Sequence, residues 1–173
     1  IFKRNSLAYF TSPIGYVFIC LFVFACAVAA FFPPAFFNAR LATLDQLNEW
    51  FPLILLLFVP AVTMGIWADE KRQGTDELLL TIPATDFGVV VGKYLSVASI
   101  YMVSLAVAVA SNFIMLIWMG TPDWGLIFTN FVGYTLLGLV MLATGMCASF
   151  ITGNLTMAYV FGFVFNAPIV LFC

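Results

Sequence analysis

Residues 59–95 read VPAVTMGIWADEKRQGTDELLLTIPATDFGVVVGKYL: an apolar run, a burst of charge, and a second apolar run. Of the chain's 6 basic and 8 acidic residues, Asp69, Glu70, Lys71, Arg72, Asp76 and Glu77 stand together within this burst. The apolar runs on both sides are long enough to cross a bilayer, which takes about 20 residues of helix. Two spans joined by one charged loop is the unit this implies, and the rest of the chain extends it. Of 173 residues, 64% are hydrophobic and 8% charged, against roughly 45–50% and ~25% in a soluble domain. A water-soluble globule is excluded. With a net charge of only -2, so are a disordered chain and a nucleic-acid-binding surface, which needs clustered positive charge.

Outward from the burst, the organisation is that of an all-α polytopic membrane protein. Residues 1–12 (IFKRNSLAYFTS) mix Phe2, Leu7, Tyr9 and Phe10 with Lys3, Arg4 and Asn5, and predict an amphipathic helix lying in the interface. A first span is expected over 14–32, where eleven Leu, Ile, Phe and Val residues favour insertion at roughly -0.3 to -0.6 kcal/mol each. Pro33-Pro34 ends it, and 33–49 form an external loop in which Leu41, Leu44 and Leu47 suggest a short surface helix. The second span covers 50–68, with Trp50 and Trp67 near its ends, Pro52 in its first turn and Pro60 kinking its middle. A charged segment follows over 69–86. The third span covers 87–119, its first turns in the interface around Lys93. The fourth covers 125–151 and the fifth 155–173.

Orientation follows from the basic residues. With a cytoplasmic N-terminus, Lys3, Arg4, Lys71, Arg72 and Lys93 lie inside and Arg40 alone outside, as the positive-inside rule requires. On that topology the sequon at Asn154 is cytoplasmic and without meaning.

Few residues could carry chemistry. There is no His, which removes the commonest metal ligand and general base. Cys20, Cys26, Cys147 and Cys173 lie in apolar stretches with no CxxC spacing and read as buried free thiols, so no metal site is expected. Gly88 to Tyr94 (GVVVGKY) is one residue short of a phosphate loop between its glycines and lacks the following Ser or Thr. Gly88, Gly92 and Ser96, and likewise Gly145, Ser149 and Gly153, read instead as small-residue stripes for helix packing. No charged residue stands mid-span, which argues against a proton-coupled transporter or ion channel. Asn112, Asn130 and Asn166 are the mid-span polar groups hardest to satisfy and make a candidate inter-helix polar site. No nucleophile has a base beside it, and catalysis by this chain is not expected.

The charged segment is the best candidate for function. Thr75 with Asp76 and Glu77 is a sound helix start, and Leu78, Leu79 and Leu80 continue it to Pro83. A capped helix presenting three leucines beside charges outside the membrane is what a partner protein binds.

Here the chain resembles the permease subunits of ABC-2 type ABC transporters, nearest the gliding-motility and nitrous-oxide-cluster branch. The residues that carry the resemblance are Tyr9 to Val17 (YFTSPIGYV), Pro60 with Thr63-Met64, Asp69 to Asp86 (DEKRQGTDELLLTIPATD) and Gly92-Lys93. Related sequences commonly follow Thr-Met with Arg, where this chain has Gly65. The resemblance implies an ABC-2 exporter-type transmembrane domain in a bacterial inner membrane. It also implies six spans, so that a final helix is expected beyond the five visible. Thr75 to Leu80 would be the coupling helix, docking on a separate ABC ATPase subunit that binds ATP and Mg, while Asp69, Glu70, Lys71 and Arg72 flank it. No cofactor is implied in this chain. A second permease copy or a paralogue would complete the dimer. Two other readings stay open on the residues alone: a scaffold that recruits a soluble partner through the same helix, and an ATP-independent channel or secondary transporter.

Overall fold

A computed structural model describes residues 13–31, 45–74, 86–119 and 123–172. The described chain is helical: α1 Pro13–Phe31, α2 Asp45–Thr63, α3 Gly65–Gln73, α4 Asp86–Met119, α5 Trp124–Ile151 and α6 Leu155–Phe172. Among the described residues four stretches are long and apolar enough to cross a membrane: Leu47–Ala68, Phe87–Trp118, Trp124–Ile151 and Leu155–Phe172. α1 adds a shorter apolar helix over Gly15–Phe31. The interfacial helix expected over 1–12 and most of the loop expected over 33–49 lie outside the described residues.

Local chemistry sets the helix ends. Asp123 is extended (φ -81°, ψ 111°) and its carboxylate accepts from the Gly125 amide at 2.9 Å, so it caps α5. At the next turn the Asn154 side chain accepts from the Thr156 amide at 3.0 Å and caps α6. Gly74, at φ +66°, ends α3 in the left-handed region, which glycine enters without a steric penalty.

The second span begins earlier than its charge pattern suggests. Asp45 to Glu49 belong to α2 rather than to a loop, and Leu47 is 2% exposed. Pro52 therefore stands in the helix interior, not in the first turn. One buried leucine packed into the core outweighs the local polarity of Asp45, Asn48 and Glu49.

Span two is the hub. α2 packs against α1, α5 and α6, α1 also against α4, and α5 against α4 and α6. At the centre Phe22 meets Phe51, Phe58 and Tyr101 edge-on, with ring centroids 6.4, 5.6 and 6.2 Å apart. Phe51 stacks on Tyr134 at 3.9 Å. Edge-to-face and offset pairs of this kind add about 0.5–1.5 kcal/mol beyond area. The Tyr101 hydroxyl donates to the Tyr134 carbonyl at 2.7 Å, and the Tyr134 hydroxyl donates to the Asn48 side chain. Gly138 makes this approach possible: a Cβ there would fall 2.1 Å from the Tyr101 ring.

Most hydroxyls in the spans are satisfied by their own helix. Ser96, Ser104 and Thr135 donate to the carbonyls four residues back, at 2.8, 2.7 and 2.8 Å, as groups deprived of water must. The thiols differ from expectation. Cys26 is buried, but Cys20 and Cys147 are exposed on their helix faces, because each falls on the side of its helix away from the core, and Cys173 lies outside the described residues. A thiol in an apolar stretch is as compatible with lipid as with protein.

Candidate functional site

Span two is broken before it reaches the charged segment. α2 ends at Thr63, Met64 is a turn residue, and α3 starts at Gly65. Pro60 upstream lacks an N–H and weakens the ladder, Gly65 has low helix propensity, and Thr63 turns its hydroxyl back onto the Val59 carbonyl at 3.0 Å. Together they favour ending one helix and starting another.

The new helix start is capped from a distance. Ser149 of α5, fully buried, accepts hydrogen bonds from the Trp67 and Ala68 amides at 3.2 and 3.3 Å. Its own proton goes to the Met64 carbonyl at 2.8 Å. One turn away on α5, Gly145 lets Thr63 approach so closely that a Cβ would sit 2.6 Å from its hydroxyl oxygen. Small residues at this seam allow backbones to touch.

Lys93 holds the same segment from α4. It is 1% exposed, and its Nζ donates to the Ile66 carbonyl at 2.9 Å while lying 3.8 Å from the Trp67 ring centroid. A buried ammonium persists only where hydrogen bonds and a polarisable face replace its water. On the other side, Lys71 of α3 donates to the Phe150 carbonyl and sits 4.6 Å from that ring. Trp67 meets Phe150 edge-on at 5.3 Å. The Phe150 carbonyl is near the end of α5, where a lysine also favours the helix dipole. α3 is thus gripped by α4 at Ile66 and Trp67 and by α5 at Trp67, Ala68 and Lys71.

The residues singled out from sequence distribute unevenly. Gly145 and Ser149 stand at the break, and a Cβ on Gly153 would meet the Lys71 side chain at 3.4 Å. In the other stripe Gly92 is buried and accepts from Ser96, whereas Gly88 is exposed. Thr75, Asp76, Glu77, Leu78, Leu79 and Leu80 lie outside the described residues. Asp69 and Glu70 belong to α3, with side chains outside the description, and Arg72 is exposed on it. The described hydrogen bonds do not join the three asparagines. Asn166 accepts from Thr144 at 2.6 Å and donates to the Gly162 carbonyl at 2.8 Å, linking α5 and α6. Both amide atoms of Asn112 and the Asn130 nitrogen are buried without a partner among the described residues.

Sequence reasoning marks Lys93 and Thr63 only as residues that carry the family resemblance and assigns neither a place at the break. The interface is the expected place for Lys93 because the run 87–119 is too long for one perpendicular span at ~1.5 Å per residue. The signal that could have singled it out is a lone cation between Gly92 and Tyr94, the seventh residue of the apolar run starting at Phe87.

Chemically the arrangement is a joint. Among the described residues no group of His, Cys, Asp or Glu could hold a metal. The Ser149 and Lys93 side chains bond from two spans to the backbone of a third, and Lys71 bonds back from α3 to the backbone of α5.

No curated protein and no solved structure matches the chain. The family model described as "ABC-2 family transporter protein" matches residues 18–173, which include the joint and all of the helices except the first five residues of α1. An integral membrane chain of apolar helices, matched over nearly its whole length, is a member of the ABC-2 transporter family, the membrane component of an ABC-type transporter.

Proposed function

We propose that this chain is the permease half of an ATP-driven exporter and that the joint at Thr63 to Ala68 carries the work of a partner ATPase into the spans. The observation that carries the reading is the break in span two beside the chain's densest charge: α3 leads from the joint directly to Gly74 and the Thr75–Leu80 segment. The charged end of span two is then cytoplasmic, in keeping with the positive-inside rule. Thr75 to Leu80 dock on the ATPase, which supplies ATP and Mg, and closure of the nucleotide sites displaces α3. The gliding-motility or nitrous-oxide-cluster branch is the affiliation favoured by the motif around Asp69 to Asp86. A second permease copy or a paralogue completes the unit, in a bacterial inner membrane.

Leu79→Asp tests the docking role. Purification of the assembly by a tag on the permease should lose the ATPase by tenfold or more, with membrane insertion unchanged. Undiminished co-purification together with unaltered ATP turnover would sink the assignment.

A further inference from the structure

A helix that starts inside a membrane needs acceptors for its first N–H groups, because water is absent and each unsatisfied group costs several kcal/mol. An N-cap side chain ordinarily supplies one by accepting from the second or third residue of the helix. Met64 precedes α3, and a thioether is only a weak acceptor. The Ser149 hydroxyl, 82 residues from Trp67 in sequence, fills the role from another span. It accepts twice and donates once, which uses both lone pairs and its only proton.

Such a cap has two consequences. While it is in place, α3 cannot turn away from α5 without stranding the Trp67 and Ala68 amides and the Met64 carbonyl together. The same groups nevertheless have an alternative: in a continuous helix the Trp67 and Ala68 amides bond to the carbonyls of Thr63 and Met64. The joint therefore has two discrete arrangements, broken and capped or straight and uncapped, and discreteness is what an element needs to pass a displacement on. Lys93 grips the Ile66 carbonyl from α4, so α3 moves between two anchors.

We propose that Ser149 is a positioning residue of the transport cycle: a releasable cap, supplied in trans, that couples displacement of α3 to α5 and is exchanged for the straight-helix bonds when nucleotide is bound. This rests on the permease reading above, and the test separates the two. The intact permease–ATPase assembly, isolated in lipid nanodiscs, is compared by hydrogen–deuterium exchange without nucleotide and trapped with Mg-ATP and orthovanadate. In the unaltered protein, trapping should change exchange severalfold at Trp67 and Ala68 and at the Gly145–Ile151 stretch of α5 together. Ser149→Ala should speed exchange at Trp67 and Ala68 roughly tenfold without nucleotide and abolish the nucleotide response of α5 while α3 still responds. A cap that only stabilises would speed exchange but leave the α5 response intact, and that result overturns the proposal. Because the comparison on the unaltered protein stands alone, a poorly folding Ser149→Ala does not shield the idea: a response in α3 with none in α5 is enough to reject it. An assembly that holds no ATPase, or shows no nucleotide response anywhere, instead removes the permease reading on which the proposal stands.

Discussion

The aromatic centre of the bundle and the joint at the charged end of span two are both buried, yet they are held by different forces. At the centre Phe22, Phe51, Phe58, Tyr101 and Tyr134 interlock through ring contacts. Those contacts are individually weak, short-ranged and spread over many atoms, so any displacement loses a little of each. At the joint Ser149, Lys93 and Lys71 each bond to a backbone group on another helix. Such bonds are directional: they are made or unmade, and they can be traded for others. The centre suits a body that moves as one piece, the joint a place where one piece is connected to the next.

The largest expected effect is at the centre. Gly138→Ala puts a methyl group 2.1 Å from the Tyr101 ring and should cost about 3 kcal/mol, in the upper range for overpacking. Thermal unfolding in detergent measures it, and adding Tyr101→Leu should restore most of the loss. A cost below about 0.5 kcal/mol would mean that the centre yields and that the contrast with the joint is false. Lys93→Met keeps the stem but removes the bond to Ile66 and the contact with Trp67. We expect about 1.5 kcal/mol of destabilisation with a disproportionate loss of nucleotide response in α4. Equal losses at both readouts would make Lys93 another packing residue. The smallest effect has the opposite sign. Asn112 is 1% exposed with neither amide atom partnered among the described residues, so Asn112→Leu should stabilise the protein by about 1 kcal/mol. A destabilised variant would show that this polar group is satisfied within the membrane.

Much of the architecture was legible because a span needs only length and apolarity. The runs around Ile100, Leu137 and Val160 leave a helix crossing lipid as the one way to satisfy their backbones. Where burial depends on a partner distant in sequence, local reading failed. The charges of Asp45 and Glu49 conceal that Leu47 packs inside, and Lys93 has the composition of an interfacial residue but the surroundings of a core one. The joint was half legible. Pro60 announced a distortion in span two, and the spacing of Gly145 and Ser149 announced a close approach. That the two features are one structure could not be read, because the hydroxyl bonding Met64 comes 85 residues later in the chain. Spacing reports which face is small; it does not report which helix lies against it.

That separation has a consequence for how the protein is made. Synthesis proceeds at about 5–20 residues per second. Span two therefore leaves the ribosome roughly 4–16 seconds before the residue that caps its break, which follows Trp67 by 82 positions. Throughout that interval the Trp67 and Ala68 amides have only the straight-helix bonds to the Thr63 and Met64 carbonyls open to them. The broken, capped form of span two must therefore await the fourth span, which makes the joint a late event in biogenesis.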